Sequence, residues 1–277
     1  MSNLLKRCIF GLLYGAVVFC GLYFEKAFAP LMIVLGCMAM AEFNRMASGG
    51  NTPRVAEFAS YLAFFIVFGT VLLSSIGEMS PRYFVLGLIP VLAIPASAVF
   101  SRAYRQNLDS LVWMMAGLVY IALPICLSPL LVYGSGEFNG LLMLGITFII
   151  WLSDIGAYAI GTLLGQKSTS RKLAPEISPK KSWWGFAGAL IFGIGTAAAL
   201  KALGVFGFSY VHCLVLGALT SAAGVLGDLV ESVFKRHFGL KDSGNVIPGH
   251  GGILDRIDSP LVAIPVAGLY LFIAGLL

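Results

Sequence analysis

Nine stretches of about 17–25 mostly apolar residues, separated by short polar turns, limit what this chain can fold into. They fall at roughly 8–24, 27–43, 58–76, 83–100, 110–133, 141–165, 184–200, 208–230 and 260–277. With 58% hydrophobic and 11% charged residues and a mean hydropathy of +0.91, the 277-residue chain is too apolar for an ordinary water-soluble domain. The pattern predicts an all-α fold: a polytopic helical membrane protein of about nine transmembrane helices. The first apolar run serves as the first span, so no cleavable signal is required.

Charge sets the expected orientation. Of the 18 Lys and Arg residues, only Lys26, Arg82 and Lys201 fall in odd-numbered loops. The rest lie at the N-terminus or in even-numbered loops, which places the N-terminus in the cytoplasm and the C-terminus outside. The net charge of +5 is then a topology signal and gives no reason to expect nucleic acid as a partner. Cys8, Cys20, Cys37, Cys126 and Cys213 all lie in apolar runs without metal-ligand spacing, and read as packing residues.

Residues 1–133 carry hydropathy and little else. Glu42 and Arg45, three apart, share a helix face and read as solvated interfacial charges. Pro90, Pro95, Pro124 and Pro129 lie within apolar runs, where each removes a backbone donor and predicts a kink or local unwinding. His212 reads as an interfacial residue.

The polar chemistry gathers in residues 134–277. Gly227 to Ser259 holds Asp228, Glu231, Lys235, Arg236, Lys241, Asp242, Asp255, Arg256 and Asp258, with His237, His250 and six glycines. Ionisable groups at this density are costly beside a membrane and mark a functional site. Ser221, Gly224, Asp228, Glu231, Ser232 and Lys235 recur at spacings of three and four, so they share one helix face. Pro248-Gly249-His250-Gly251-Gly252 is a poor helix former that offers backbone N–H groups to phosphate. Carboxylates, glycines and cations together suit a divalent cation and a polyphosphate. Upstream, Asp154 stands alone in span six, with Tyr158, Gly161 and Gly165 on its face. The following loop carries Lys167, Arg171, Lys172, Lys180 and Lys181, a set suited to a triphosphate or a lipid phosphate.

These motifs resemble the phosphatidate cytidylyltransferases (CDP-diacylglycerol synthases). The likeness rests on Ser232, Lys235-Arg236, Lys241-Asp242, Pro248, His250-Gly251-Gly252, Asp255-Arg256 and Asp258. It extends over Trp151, Asp154, Gly156, Tyr158, Gly161, Gly165, Pro175, Ser178-Pro179-Lys180-Lys181, Trp183 and Gly185. Two positions depart from the family pattern: Ser182 stands where threonine is usual, and Trp184 where glutamate is usual.

The resemblance implies a nucleotidyl transfer from CTP to phosphatidic acid, giving CDP-diacylglycerol and pyrophosphate in phospholipid biosynthesis. It implies catalytic roles for Asp228, Asp255, Lys181, Lys235 and Arg256. Ser178, Lys180, Ser232, Arg236, Lys241, Asp242, His250, Gly251 and Gly252 would bind substrate. Asp228, Asp255, Asp258 and Asp154 would serve Mg²⁺, with room for a second metal or a monovalent cation. Residues 1–133 would form a scaffold or lipid-access part and 134–277 the catalytic part, with cytoplasmic loops 166–183 and 236–259. The expected setting is the bacterial cytoplasmic (inner) membrane, the site facing the cytoplasm, with membrane lipid as partner and a homo-oligomer left open. The rival from another class is a transporter using Asp154 and Asp228 as a cation or proton relay. The Gly-His-Gly-Gly loop and the clustered cations have no task in it.

Overall fold

A computed structural model describes residues 3–52, 54–106, 108–166, 170–246 and 251–277, except for the side chains of 3–8, 103 and 104. The described chain is an all-α polytopic membrane protein. Eight of its helices are long and apolar enough to cross a membrane, and the apolar part of the first, Ile9–Tyr23, is shorter. Helices suit such sequences because their backbone polar groups are paired within the segment, leaving none to face lipid. The chain divides into two compact units, Met1–Phe138 with Asp242–Asp255, and Asn139–Lys241 with Arg256–Leu277.

The first unit contains α1 (Asn3–Tyr23), α2 (Glu25–Ser48), α3 (Arg54–Ser75), α4 (Pro81–Phe100) and α5 (Leu108–Val132). Helix α2 outruns its apolar stretch by five residues and carries Glu42 in its last two turns. It stops at Gly49, whose φ of 58° turns the chain so that the N–H of Gly49 and of Gly50 reach back to Met46 and Arg45 carbonyls. Small residues let these helices close up: Ala56 and Ala59 of α3 pack with Ile94 and Ala98 of α4 and Leu111 and Met114 of α5. The 3₁₀ segment that opens α4 starts at Pro81, which is not among the four prolines expected to disturb their helices. Of those four, Pro95 and Pro129 lie inside α-helix, whereas Pro124 follows a π turn of α5 over Leu118–Ala122. Pro124 has no N–H to offer the preceding turn.

The second unit contains α6 (Gly140–Leu164), a two-stranded antiparallel hairpin, α7 (Trp183–Ala202), α8 (Tyr210–His237) and most of α9 (Leu254–Ile273). The hairpin pairs β1 (Lys172–Ala174) with β2 (Ser178–Ser182), an element that hydropathy does not reveal, within the basic loop. Asn139, Ser182 and Ser209 cap α6, α7 and α8 by accepting from Leu142, Gly185 and His212 N–H groups. Glycines set the helix approach. A Cβ on Gly161 would lie 3.3 Å from Gly185 Cα, one on Gly188 2.5 Å from Gly156 O, and one on Gly217 2.8 Å from Gly193 O. Helix α8 runs seven residues past its apolar stretch and α9 starts six before its own, so both carry the polar motif residues in helix. His212 Nδ1 and Tyr270 Oη lie 2.8 Å apart, satisfying each other.

Candidate active site

The second unit brings together seven of the predicted side chains. Lys181, at the end of β2, is held on both sides of its backbone. The pairings of Ala174 with Ser178 and of Lys172 with Ser182 fix the strand before and after it, and Trp183 N–H donates to Arg171 O at 3.2 Å. Ser182 is 98% buried because its exposure is 2%, and its hydroxyl sits against the bare Cα of Gly165 while capping α7. The departure from threonine at Ser182 therefore keeps the capping hydroxyl. From this anchored strand Lys181 Nζ reaches Asp228 Oδ2 on α8 at 2.6 Å. Asp228 keeps 40% of its side chain accessible and Lys181 22%, so a phosphate can approach the pair.

Asp154 of α6 lies within electrostatic reach of Asp228, Lys181 and Arg256. Asp258 of α9 lies within reach of Asp228, Asp154 and Lys235. Gly227 makes the last approach possible, since a Cβ there would stand 2.5 Å from Asp258 O and 3.1 Å from Ser259 Cα. Asp258 Oδ1 accepts from Ser259 N–H at 2.7 Å, and Ser232 Oγ stands 3.5 Å from Asp228 Oδ1. Lys235 is paired with Glu231, whose side chain is fully buried. Four carboxylates, Asp154, Asp228, Glu231 and Asp258, thus meet three cations, Lys181, Lys235 and Arg256. An excess of carboxylate in a partly lipid-embedded cluster favours recruiting a further cation.

No three acidic, histidine or cysteine side chains among the described residues stand close enough to ligate one ion together. Mg²⁺ commonly takes only one or two protein carboxylates, with phosphate and water completing the shell. One or two of Asp228, Asp258 and Asp154 would be the residues to supply them.

Asp255, predicted beside Asp228, belongs to the first unit and is engaged by main chain. Its Oδ2 accepts from Gly252 N–H at 2.8 Å and from Ser243 N–H at 3.0 Å, while Ser243 Oγ stands 3.3 Å from Asp255 N. This is a capping box in which the hydroxyl comes from another part of the chain. Gly251, at φ 85°, and Gly252 admit the carboxylates closely; a Cβ on Gly251 would lie 2.6 Å from Asp255 Oδ2. The N–H of Gly252, read from sequence as a phosphate donor, is here donated to Asp255.

Glu42 completes this arrangement, and sequence reasoning missed it. Its side chain, 4% exposed, accepts from Ile253 N–H and Leu254 N–H, each at 2.9 Å, and from Ser243 Oγ at 2.9 Å. The pairing with Arg45 that its spacing allows is not what fixes it. Glu231 was also passed over as a partner for Lys235, although the i, i+4 spacing signals it.

The remaining predicted residues are more open. Lys180, Arg236, Lys241 and Asp242 are exposed and Ser178 is half-buried. Arg236 braces its surroundings, donating from Nε to Ile177 O at 3.4 Å and from Nη1 to Leu240 O at 2.8 Å. Lys167, Pro248 and His250 lie outside the described residues.

Residues 5–274 match the model of the Cytidylyltransferase family. A phosphatidate cytidylyltransferase of Bacillus subtilis is 44% identical over 135 residues, 47% of this chain and 49% of that protein. One from Haemophilus influenzae is 36% identical over 202 residues, 68% of this chain and 65% of its own length. One from Rickettsia bellii is 35% identical over 207 residues, 70% and 83% of the two chains. The matched stretch thus spans about half of the first relative and 65% of the second.

Proposed function

The chain belongs to the cytidylyltransferase family, and from that premise we propose that it transfers the cytidylyl group of CTP to phosphatidic acid. The products are CDP-diacylglycerol and pyrophosphate, formed in the bacterial cytoplasmic membrane with the site facing the cytoplasm. The observation that carries the reading is the accessible Lys181–Asp228 pair set among Asp154, Asp258 and Arg256. The partition of Lys and Arg between alternate loops supports the orientation.

A phosphate oxygen of the lipid attacks the α-phosphorus of CTP, and the bond to the bridging oxygen of pyrophosphate breaks. The second pKa of a phosphate monoester is about 6, so the nucleophile is largely ionised at neutral pH and needs no strong base. The demand is to hold two anions together and to neutralise charge on the leaving group. One or two of Asp228, Asp258 and Asp154 would hold Mg²⁺, which when bound would supply Lewis-acid neutralisation of the phosphates. Lys181 and Arg256 meet phosphate oxygens, and Lys181 exchanges part of its hold on Asp228 for substrate. Glu231 keeps the Lys235 ammonium on the site side of α8. Exposed Lys180, Arg236 and Lys241 attract the triphosphate to this face. Purified protein given Mg²⁺, CTP and phosphatidic acid should release pyrophosphate in step with CDP-diacylglycerol. No release with active lipid present would end the reading.

A further inference from the structure

We propose that Glu42 is a positioning residue for this reaction: from α2 it fixes where α9 begins, and thereby where Arg256 and Asp258 point. The inference rests on the cytidylyltransfer reading for its catalytic consequence and on geometry for its mechanism. Glu42 is separated from its partners by about two hundred residues, yet it meets three donors at 2.9 Å with both carboxylate oxygens. Two of those donors are the consecutive N–H groups of Ile253 and Leu254, which the opening turn of α9 leaves without intrahelical acceptors. The carboxylate also complements the positive end of the helix. Ser243 links it to the second acid: its Oγ donates to Glu42, and its N–H donates to Asp255.

The close fit is built for an acid of this length. A Cβ on Gly244 would stand 2.7 Å from Glu42 Oε1, and one on Gly252 would collide with Glu42 Oε2. Arg256 and Asp258 follow within the next turn of the same helix. A start displaced by one residue would rotate every later side chain by about 100°. Glu42 touches no reacting atom in this scheme and acts only through α9.

The test combines amide hydrogen exchange with kinetics on the purified, detergent-solubilised full chain. In Glu42→Gln, exchange at residues 251–257 should rise by about tenfold, the scale of one lost hydrogen bond to a charged acceptor, with other helices unchanged. The KM for CTP should rise by a similar factor, because Arg256 is displaced. A variant that merely folded less completely would lower the rate and leave KM where it was. Ser243→Ala, which keeps the two amides on Glu42, should show the same pattern at smaller amplitude, and the double variant should be less than the product of the two. Unchanged exchange, or KM within twofold of wild type despite faster exchange, would overturn the proposal. A wild type inactive toward CTP and phosphatidic acid would overturn the functional reading instead. Exchange, measured without substrate, would then decide alone whether Glu42 holds the segment.

Discussion

Lys181 and Asp228 meet at 2.6 Å, joining the last-but-one residue of a short hairpin to the middle of the α8 polar face. A cation fixed on one of the acids of a carboxylate-rich cluster does two things. It lowers the repulsion among Asp154, Asp228 and Asp258, and on the proposed reading it waits where phosphate arrives.

Replacing Lys181 by Ala removes both effects. Turnover should fall by a factor corresponding to about 1–3 kcal/mol, the range for a lost hydrogen bond to a charged group. Membrane insertion should be kept, because Arg171, Lys172 and Lys180 still mark the loop as basic. Steady-state kinetics beside a yield measurement from membranes separates the two, and wild-type kcat/KM would remove Lys181 from the site.

Asp228→Asn and Asp258→Asn should each abolish Mg²⁺-dependent turnover while the helices remain folded. The double variant should be little worse than either single one, since groups acting as a unit are not additive. Asp255→Asn should behave differently and loosen the segment it caps, detectable as faster amide exchange at Ser243 and Gly252. Retained activity in both Asp228→Asn and Asp258→Asn would exclude them from the chemistry.

Gly227→Ala tests the closeness of α8 to α9. The new methyl meets the Asp258 carbonyl at 2.5 Å, a backbone atom that cannot swing aside. Overpacking of this kind costs about 1–3 kcal/mol, so the melting temperature in detergent should drop. Turnover at a temperature where the variant is folded should drop too, because Asp258 is pushed from Asp228. An unaltered melting temperature would show that the seam yields easily.

Topology has its own check. Cysteines placed at Lys180 and Lys241, both exposed, should resist an impermeant thiol reagent in intact cells and react after lysis. Labelling of either from outside would reverse the orientation.

Much of this was legible in the chain because its two strongest signals are local. Apolar runs announce the helices, and Gly227 to Ser259 announces the site through residue types at fixed spacing. Spacing put Glu231 and Lys235 on the α8 helix face, but the start of α9 was misjudged: Asp255 and Asp258 interrupt hydropathy but not helix. Glu42 was illegible because its partners are main-chain N–H groups some two hundred positions away, which carry no residue code. Its nearest charged neighbour in sequence, Arg45, pointed elsewhere. That Asp255 accepts from the main chain of Gly252 and Ser243 was hidden likewise, since a carboxylate bonded to backbone is written with the same letter as any other.

The capped junction at Ser182 limits the freedom of the lysine beside it. Strand pairing on one side and a buried hydroxyl against Gly165 on the other leave Lys181 only the swing of its own side chain. Such a lysine is a fixed post rather than a hook on a tether. On the proposed reading the lysine does not search for the nucleotide; the triphosphate comes to it, and a nucleotide shortened by one phosphate should be captured less well.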